Sequence, residues 1–153
     1  MKKCLLSLIA IFLVSGETFA FTVQDGLSFF NQYQNYANTY NVNLLDMYSN
    51  NVKIIREVIK PTGVVVSIVI PSKRFFQELK IGQKTAKLKR YKNHYRNISV
   101  KITPNGYKIS AERQPTRENY WLKMYQIVQP TDTGMKIVEE MMQTKVQAFL
   151  NAK

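Results

Sequence analysis

The sequence is short of the side chains on which most small enzymes depend. It has one cysteine (Cys4), one histidine (His94), one tryptophan (Trp121) and ten acids in 153 residues. Cys4 sits in the opening segment, and no other cysteine follows it. Disulfides, thiolate metal sites, redox dithiols and cysteine nucleophiles are therefore excluded together from the remainder. A lone histidine without thiolate partners argues against a zinc site, so no metal is expected. No glycine-rich phosphate loop occurs, and no cofactor is implied. Six Gly and five Pro, spread without period, exclude a collagen-like or low-complexity chain. Apolar runs are also scarce: only the opening one approaches membrane length, which excludes a multi-span protein.

That opening run reads as an address. Lys2 and Lys3 precede an apolar stretch from Leu5 to Val14; Ser15 and Gly16 break it, and Thr18-Phe19-Ala20 offers a small-x-small cleavage site. This is the three-part pattern of a secretory signal peptide, residues 1–20, with cleavage near Ala20. Uncleaved, the same segment would serve as an N-terminal anchor. Cleavage predicts export to the periplasm or beyond, and leaves residues 21–153 as one domain. Losing Lys2, Lys3 and Glu17 leaves 20 basic and nine acidic residues, or +11, down from +12.

What is present is apolar enough to build a core. Hydrophobic residues make up 45%, aromatics 12%, and about 130 residues bury a core without staples. Val23, Leu27, Phe30, Tyr33, Ala37 and Tyr40 recur at helical spacing behind Thr22 and Asp25, which resemble a capping box. Leu44, Leu45, Met47 and Tyr48 suit a short second helix closed by Ser49-Asn50-Asn51. Val52 to Ile59 suggests a strand, Pro61-Thr62-Gly63 a turn, and Val64 to Ile70 a strand buried on both faces or nearly so. Pro71-Ser72 can start a third helix, with Phe75, Phe76, Leu79 and Ala86 on one face and Lys73, Lys80, Lys84 and Lys87 on another. Gly82 predicts an early end to it. Alternation over Ile98–Thr103 and Tyr107–Ala111 around Pro104-Asn105-Gly106 marks a hairpin. Tyr120–Val128 follows as a strand. Residues 135–150 fit either a returning strand or a helix carrying Val138, Met142, Lys145 and Phe149 on one stripe.

This order, together with Leu44-Leu45-Asp46-Met47-Tyr48-Ser49-Asn50-Asn51-Val52 and Met135-Lys136-Ile137, resembles the nuclear transport factor 2-like superfamily (SnoaL and ketosteroid isomerase-like proteins). The resemblance implies an α+β fold: N-terminal helices packed on a curved, cone-shaped antiparallel sheet that lines a pocket. It also implies a homodimer formed through the sheet. Its enzymes use an acid or a histidine as base. Ketosteroid isomerase-like members carry an aspartate shortly after the short helix; here that place falls near Arg56, flanked by Glu57. An arginine stays charged and cannot act as base.

Candidate catalytic residues are thus Glu57, His94 and Asp46. His94 lies among cations in Lys92-Asn93-His94-Tyr95-Arg96, which disfavour its protonated form. Arg56 and Glu57 alternate, so one of them enters the pocket. Tyr107, Tyr120, Trp121 and Tyr125 fall on the sheet and would line a pocket for a small apolar ligand. The densest feature is basic: Lys73, Arg74, Lys80, Lys84, Lys87, Lys89, Arg90, Lys92, Arg96 and Lys101 are opposed only by Glu78. Such a face suits anionic lipid headgroups or an acidic protein surface. Nucleic acid would also fit the charge, but export takes the chain away from it. Two functions stay open: a non-catalytic exported binding domain with that basic face, and a small isomerase, dehydratase or hydrolase using a pocket carboxylate or His94.

Overall fold

The computed structural model describes residues 20–151; the segment read as a leader lies, but for Ala20, outside them. Helix α1, Val23–Thr39, starts on the expected cap: the Asp25 amide donates to Thr22 Oγ1 at 3.1 Å, and that hydroxyl donates back to Asp25 Oδ2 at 2.6 Å. Tyr40 ends it in the left-handed region at φ 58°. A 3₁₀ helix, Val42–Met47, leads into β1, Tyr48–Ile59. Strand β2, Val65–Ile70, returns antiparallel to β1. Helix α2, Ser72–Leu88, is followed by the meander β3 (Asn93–Thr103), β4 (Gly106–Pro115), β5 (Leu122–Thr131) and β6 (Gly134–Thr144), and a last 3₁₀ turn, Gln147–Asn151.

The six strands form one sheet in the order β2-β1-β6-β5-β4-β3. Every pairing is antiparallel except β1 with β6, which run parallel. Residues 135–144 are therefore strand, hydrogen-bonded on both sides, and the helical alternative is overturned. The two helices cover one face of the sheet. Phe30, Tyr33, Leu44, Met47, Tyr48, Ile54, Phe75, Ile109, Met124 and Ile137 form the core between them. Gly26 lets α1 sit close: a Cβ there would meet Val100 Cγ1 at 2.5 Å.

Four expectations change. Ser49-Asn50-Asn51 extends β1, because Tyr48 already pairs with Ile137. Gly82 does not end α2: Phe75 and the half-buried Leu79 hold it against the core before the glycine, and after it Gln83 Nε2 donates to Asn41 O at 2.9 Å and Ala86 lines the cavity. Strand β2 is an edge strand with Val65 and Val69 exposed, not one buried on both faces; only Ile70 is buried. Tyr120 and Trp121 precede β5, which begins at Leu122.

Two bulges set which side chains face the helices. In β3, Arg96 pairs with Glu112 and Ser99 with Ser110, so two residues oppose one; Asn97 there has φ 52°. In β6, Val128 faces Ile137 while Ile127 faces Glu139, leaving Val138 as the extra residue. An added residue inverts the alternation beyond it. Ile137 and Glu140 consequently point to the same, inner side, and both are 0% exposed.

Candidate functional site

Four polar side chains cross the inner face of the sheet: Arg56 on β1, Glu140 on β6, Gln126 on β5 and Arg113 on β4. Glu140 is their centre. Its Oε2 accepts from Tyr48 Oη at 2.6 Å and from Gln126 Nε2 at 3.2 Å. Its Oε1 accepts from Arg56 Nη2 at 3.1 Å. Burying a carboxylate unpaired is prohibitively costly, and here a cation and two neutral donors offset that cost. The Arg56 guanidinium also lies 5.9 Å from the Phe75 ring centroid, over its face, and Nη1 donates to Ile55 O at 3.1 Å.

Tyrosines surround this cluster. Burial pushes the Tyr48 hydroxyl well above the ordinary tyrosine range, and the Glu140 charge adds to it. Burial and then Glu140 do the same to Tyr33, and burial raises Tyr95 as well. All three hydroxyls stay protonated. Arg113 Nη1 donates to Asn93 Oδ1 at 2.9 Å, yet its Nε is buried without a partner among the described residues, as are Tyr40 Oη, Tyr95 Oη and Gln126 Oε1.

A cavity of about 190 Å³ opens beside the cluster. Its apolar wall is Ala37, Leu44, Phe75, Leu79, Ala86 and Met142; its polar wall is Tyr33, Tyr40, Tyr48, Arg56, Gln83, Tyr91, Asn93, Arg113 and Glu140. Helices α1 and α2, the first 3₁₀ helix and strands β1, β3, β4 and β6 each contribute to it. A larger depression of about 550 Å³ lies between the start of β1 and the β5–β6 turn; its lining is mostly polar and includes none of Arg56, Arg113 and Glu140. The smaller cavity is the candidate site.

Of the sequence candidates, Arg56 is in the cavity wall. Glu57 faces the other side of the sheet and accepts from Gln143 Nε2 at 3.0 Å. Asp46 is exposed on the 3₁₀ helix, where its carbonyl accepts from Lys136 Nζ. His94 is exposed on β3. Tyr107 is buried, but against Phe21, away from the cavity. Tyr120 and Trp121 stack under Lys145 and Arg96, with the nitrogen or guanidinium 4.0 and 4.2 Å from the ring centroids. Tyr125 lies on the outer face, donating to Glu139 at 2.7 Å beneath Lys108. The sequence reading missed Glu140, Arg113, Gln126 and Tyr48 as site residues. The paired glutamates Glu139-Glu140, unusual in a strand, were the available signal.

In the basic segment, Arg96 is bonded to Glu112 at 2.7 Å and Arg74 to Glu78 at 2.7 Å. Lys73, Lys80, Lys84, Lys87, Lys89, Arg90 and Lys92 are exposed and have no ion-pair partner among the described residues. No group of acids, histidine or cysteine suited to a metal occurs among the described residues.

The sequence matches no family model and no curated protein. Solved structures match well. A protein of unknown function from the DUF3225 family of Pectobacterium atrosepticum covers 79% of this chain and 88% of its own, with a TM-score of 0.58 at 15% identity. An NTF2-like protein with a cystatin-like fold from Novosphingobium aromaticivorans covers 78% and 79%, with TM-score 0.57 at 6% identity. A candidate dehydratase of the NTF2-like family from Streptomyces avermitilis covers 79% and 94%, with TM-score 0.59 at 8% identity. Identities this low speak for architecture and not for activity. Helices laid on one face of a curved, open, six-stranded mixed sheet, matched across four-fifths of the chain, show that this protein has the nuclear transport factor 2-like fold.

Proposed function

We propose that this chain is an exported, non-catalytic binding domain whose cavity takes a one-ring ligand carrying an acidic group. The observation that carries the reading is Arg113: it lines the cavity with a permanent positive charge and has no carboxylate partner among the described residues. A part-buried cation left without a counter-charge is costly, and a ligand oxyanion would supply one. The opposite wall, with Phe75, Leu79 and Met142, suits an apolar ring. Size narrows the class. A dry cavity of about 150 Å³ holds benzene, whereas drug-sized ligands need about 300 Å³ or more. About 190 Å³ therefore admits one ring and a small substituent.

The enzymatic alternative needs a base with a lone pair turned to the ligand. Three of the four lone-pair positions of the Glu140 carboxylate are taken by Tyr48, Gln126 and Arg56, and Asp46, Glu57 and His94 lie elsewhere. This supports a binding role over an isomerase, dehydratase or hydrolase. Thermal melts with a panel of one-ring carboxylates, benzoate and phenylacetate among them, test the reading. At least one should raise the wild-type Tm, and Arg113→Gln should lose that rise while keeping its own cooperative melt. If neutral analogues stabilise as well as acids, the acidic-ligand reading fails.

A further inference from the structure

Helix α2 presents a second surface that owes nothing to the cavity. Its inner side, with Phe75 buried and Leu79 and Ala86 half-buried, fixes its roll against the core. The opposite side is thereby held toward solvent, and it is not wholly polar. Ile81 is 68% exposed and Leu88 is 87% exposed. They stand seven residues apart, two turns, about 10 Å along one line. Lys84 lies between them on that line, and Lys80 and Lys87 flank it, all exposed and without ion-pair partners among the described residues. Lys89 and Arg90 continue the charge past the helix end.

A face that only kept the protein in solution would need the lysines and not the two aliphatic side chains. We propose that this face of α2 docks on an anionic lipid surface, with Ile81 and Leu88 entering the headgroup boundary and Lys80, Lys84 and Lys87 pairing with the lipid phosphates. The occupant follows from the composition of the face. A flat, negative surface with an apolar layer beneath meets both features: aliphatic tips insert, and lysine stems lie along the boundary with their ammonium groups among the phosphates. Single-stranded nucleic acid would use stacking aromatics in place of Ile81 and Leu88.

Co-sedimentation with vesicles tests this. The chain from Ala20 onward holds the core cluster of the described residues and is used free of the apolar opening segment. It should bind vesicles of phosphatidylglycerol and phosphatidylethanolamine in equal parts, and not vesicles of phosphatidylcholine. Binding should fall steeply with salt, as exposed charges are screened. Lys80→Gln/Lys84→Gln/Lys87→Gln should weaken it about a hundredfold, near fivefold for each lysine. Ile81→Ser/Leu88→Ser should weaken it at least tenfold with charge unchanged. Both variants alter exposed positions, so their melts should match wild type. Absence of binding at low salt overturns the proposal, and so does full binding by Ile81→Ser/Leu88→Ser. Displacement by millimolar glycerol phosphate would point to a soluble phosphate site instead, and capture of oligonucleotides or acidic peptides in place of vesicles would point to another partner; either result overturns it.

Discussion

The buried pair of Arg56 and Glu140 allows a worked prediction. Arg56→Met leaves the carboxylate, 0% exposed, with only Tyr48 and Gln126 as donors. Breaking a buried ion pair by removing one partner costs about 3–5 kcal/mol. The two remaining hydrogen bonds to a charged acceptor retain part of the stabilisation, which places the loss near the lower end, about 3 kcal/mol. Small domains unfold with about 5–15 kcal/mol in total, so the variant should fold but melt roughly 10 °C lower. Glu140→Gln keeps the shape and removes the charge, leaving an arginine at the cavity edge that reaches some solvent (11% side-chain exposure). Its loss should be smaller, about 2 kcal/mol. The double variant should lose less than the two singles together, by about 1–3 kcal/mol, because the pair acts as a unit. Urea unfolding followed by Trp121 fluorescence and far-UV circular dichroism measures all three. A loss below about 1 kcal/mol for Arg56→Met, or strictly additive singles, would refute the claim that Glu140 depends on Arg56.

Three other outcomes follow from the same structure. Gly106→Ala should destabilise by about 2 kcal/mol or more, because Gly106 has φ 139° and a Cβ there would meet Val128 O at 2.0 Å; a urea midpoint unchanged from wild type would contradict this. Gly82→Ala should stabilise by up to about 1 kcal/mol, since nothing lies within 4 Å of the added methyl; a lowered midpoint would contradict it. Stability should also fall at alkaline pH. Burial and the hydrogen bond to Glu139 push Tyr125 up to about 12, and burial holds Tyr33 and Tyr48 well above their ordinary value. A pKa raised on folding stabilises below the unfolded value, near 10, and that contribution is lost as pH rises through the folded one. Absorbance at 295 nm should show these tyrosines ionising together with unfolding above about pH 10; reversible ionisation of every tyrosine in the folded protein would contradict it.

Much of the fold was legible because local signals agreed with the tertiary outcome. The Thr22–Asp25 cap, the spacing of Phe30 and Tyr33, and the Asn105-Gly106 turn each specify their element without help from distant residues. The inward face of α2 was readable in the same way from Phe75, Leu79 and Ala86, the first two on the core and the third on the cavity. The site was much less legible, because it depends on sheet register. Strict alternation from Ile137 would have put Glu139 inside and Glu140 outside; the extra residue Val138 reverses them, and only the pairing with β5 reveals it. Arg113 was hidden for a related reason. It lies on the expected alternation Tyr107, Ile109, Ala111, but beyond the apolar stretch that defined the strand, which runs on to Pro115. The aromatics chosen from the sequence were misplaced because Tyr125 alternates outward and Tyr120 and Trp121 precede β5. Their rings lie under cations, not around a ligand.

One calorimetric titration, benzoate against benzyl alcohol on wild type and on Ala86→Phe, tests the acidic-ligand cavity most directly. Ala86 lines the cavity, so the added ring should occupy the space a ligand would take. Benzoate should bind wild type with one site, benzyl alcohol should bind at least tenfold more weakly for want of a charged acceptor for Arg113, and Ala86→Phe should abolish both. Equal binding of acid and alcohol, or benzoate binding that survives in Ala86→Phe, would contradict it.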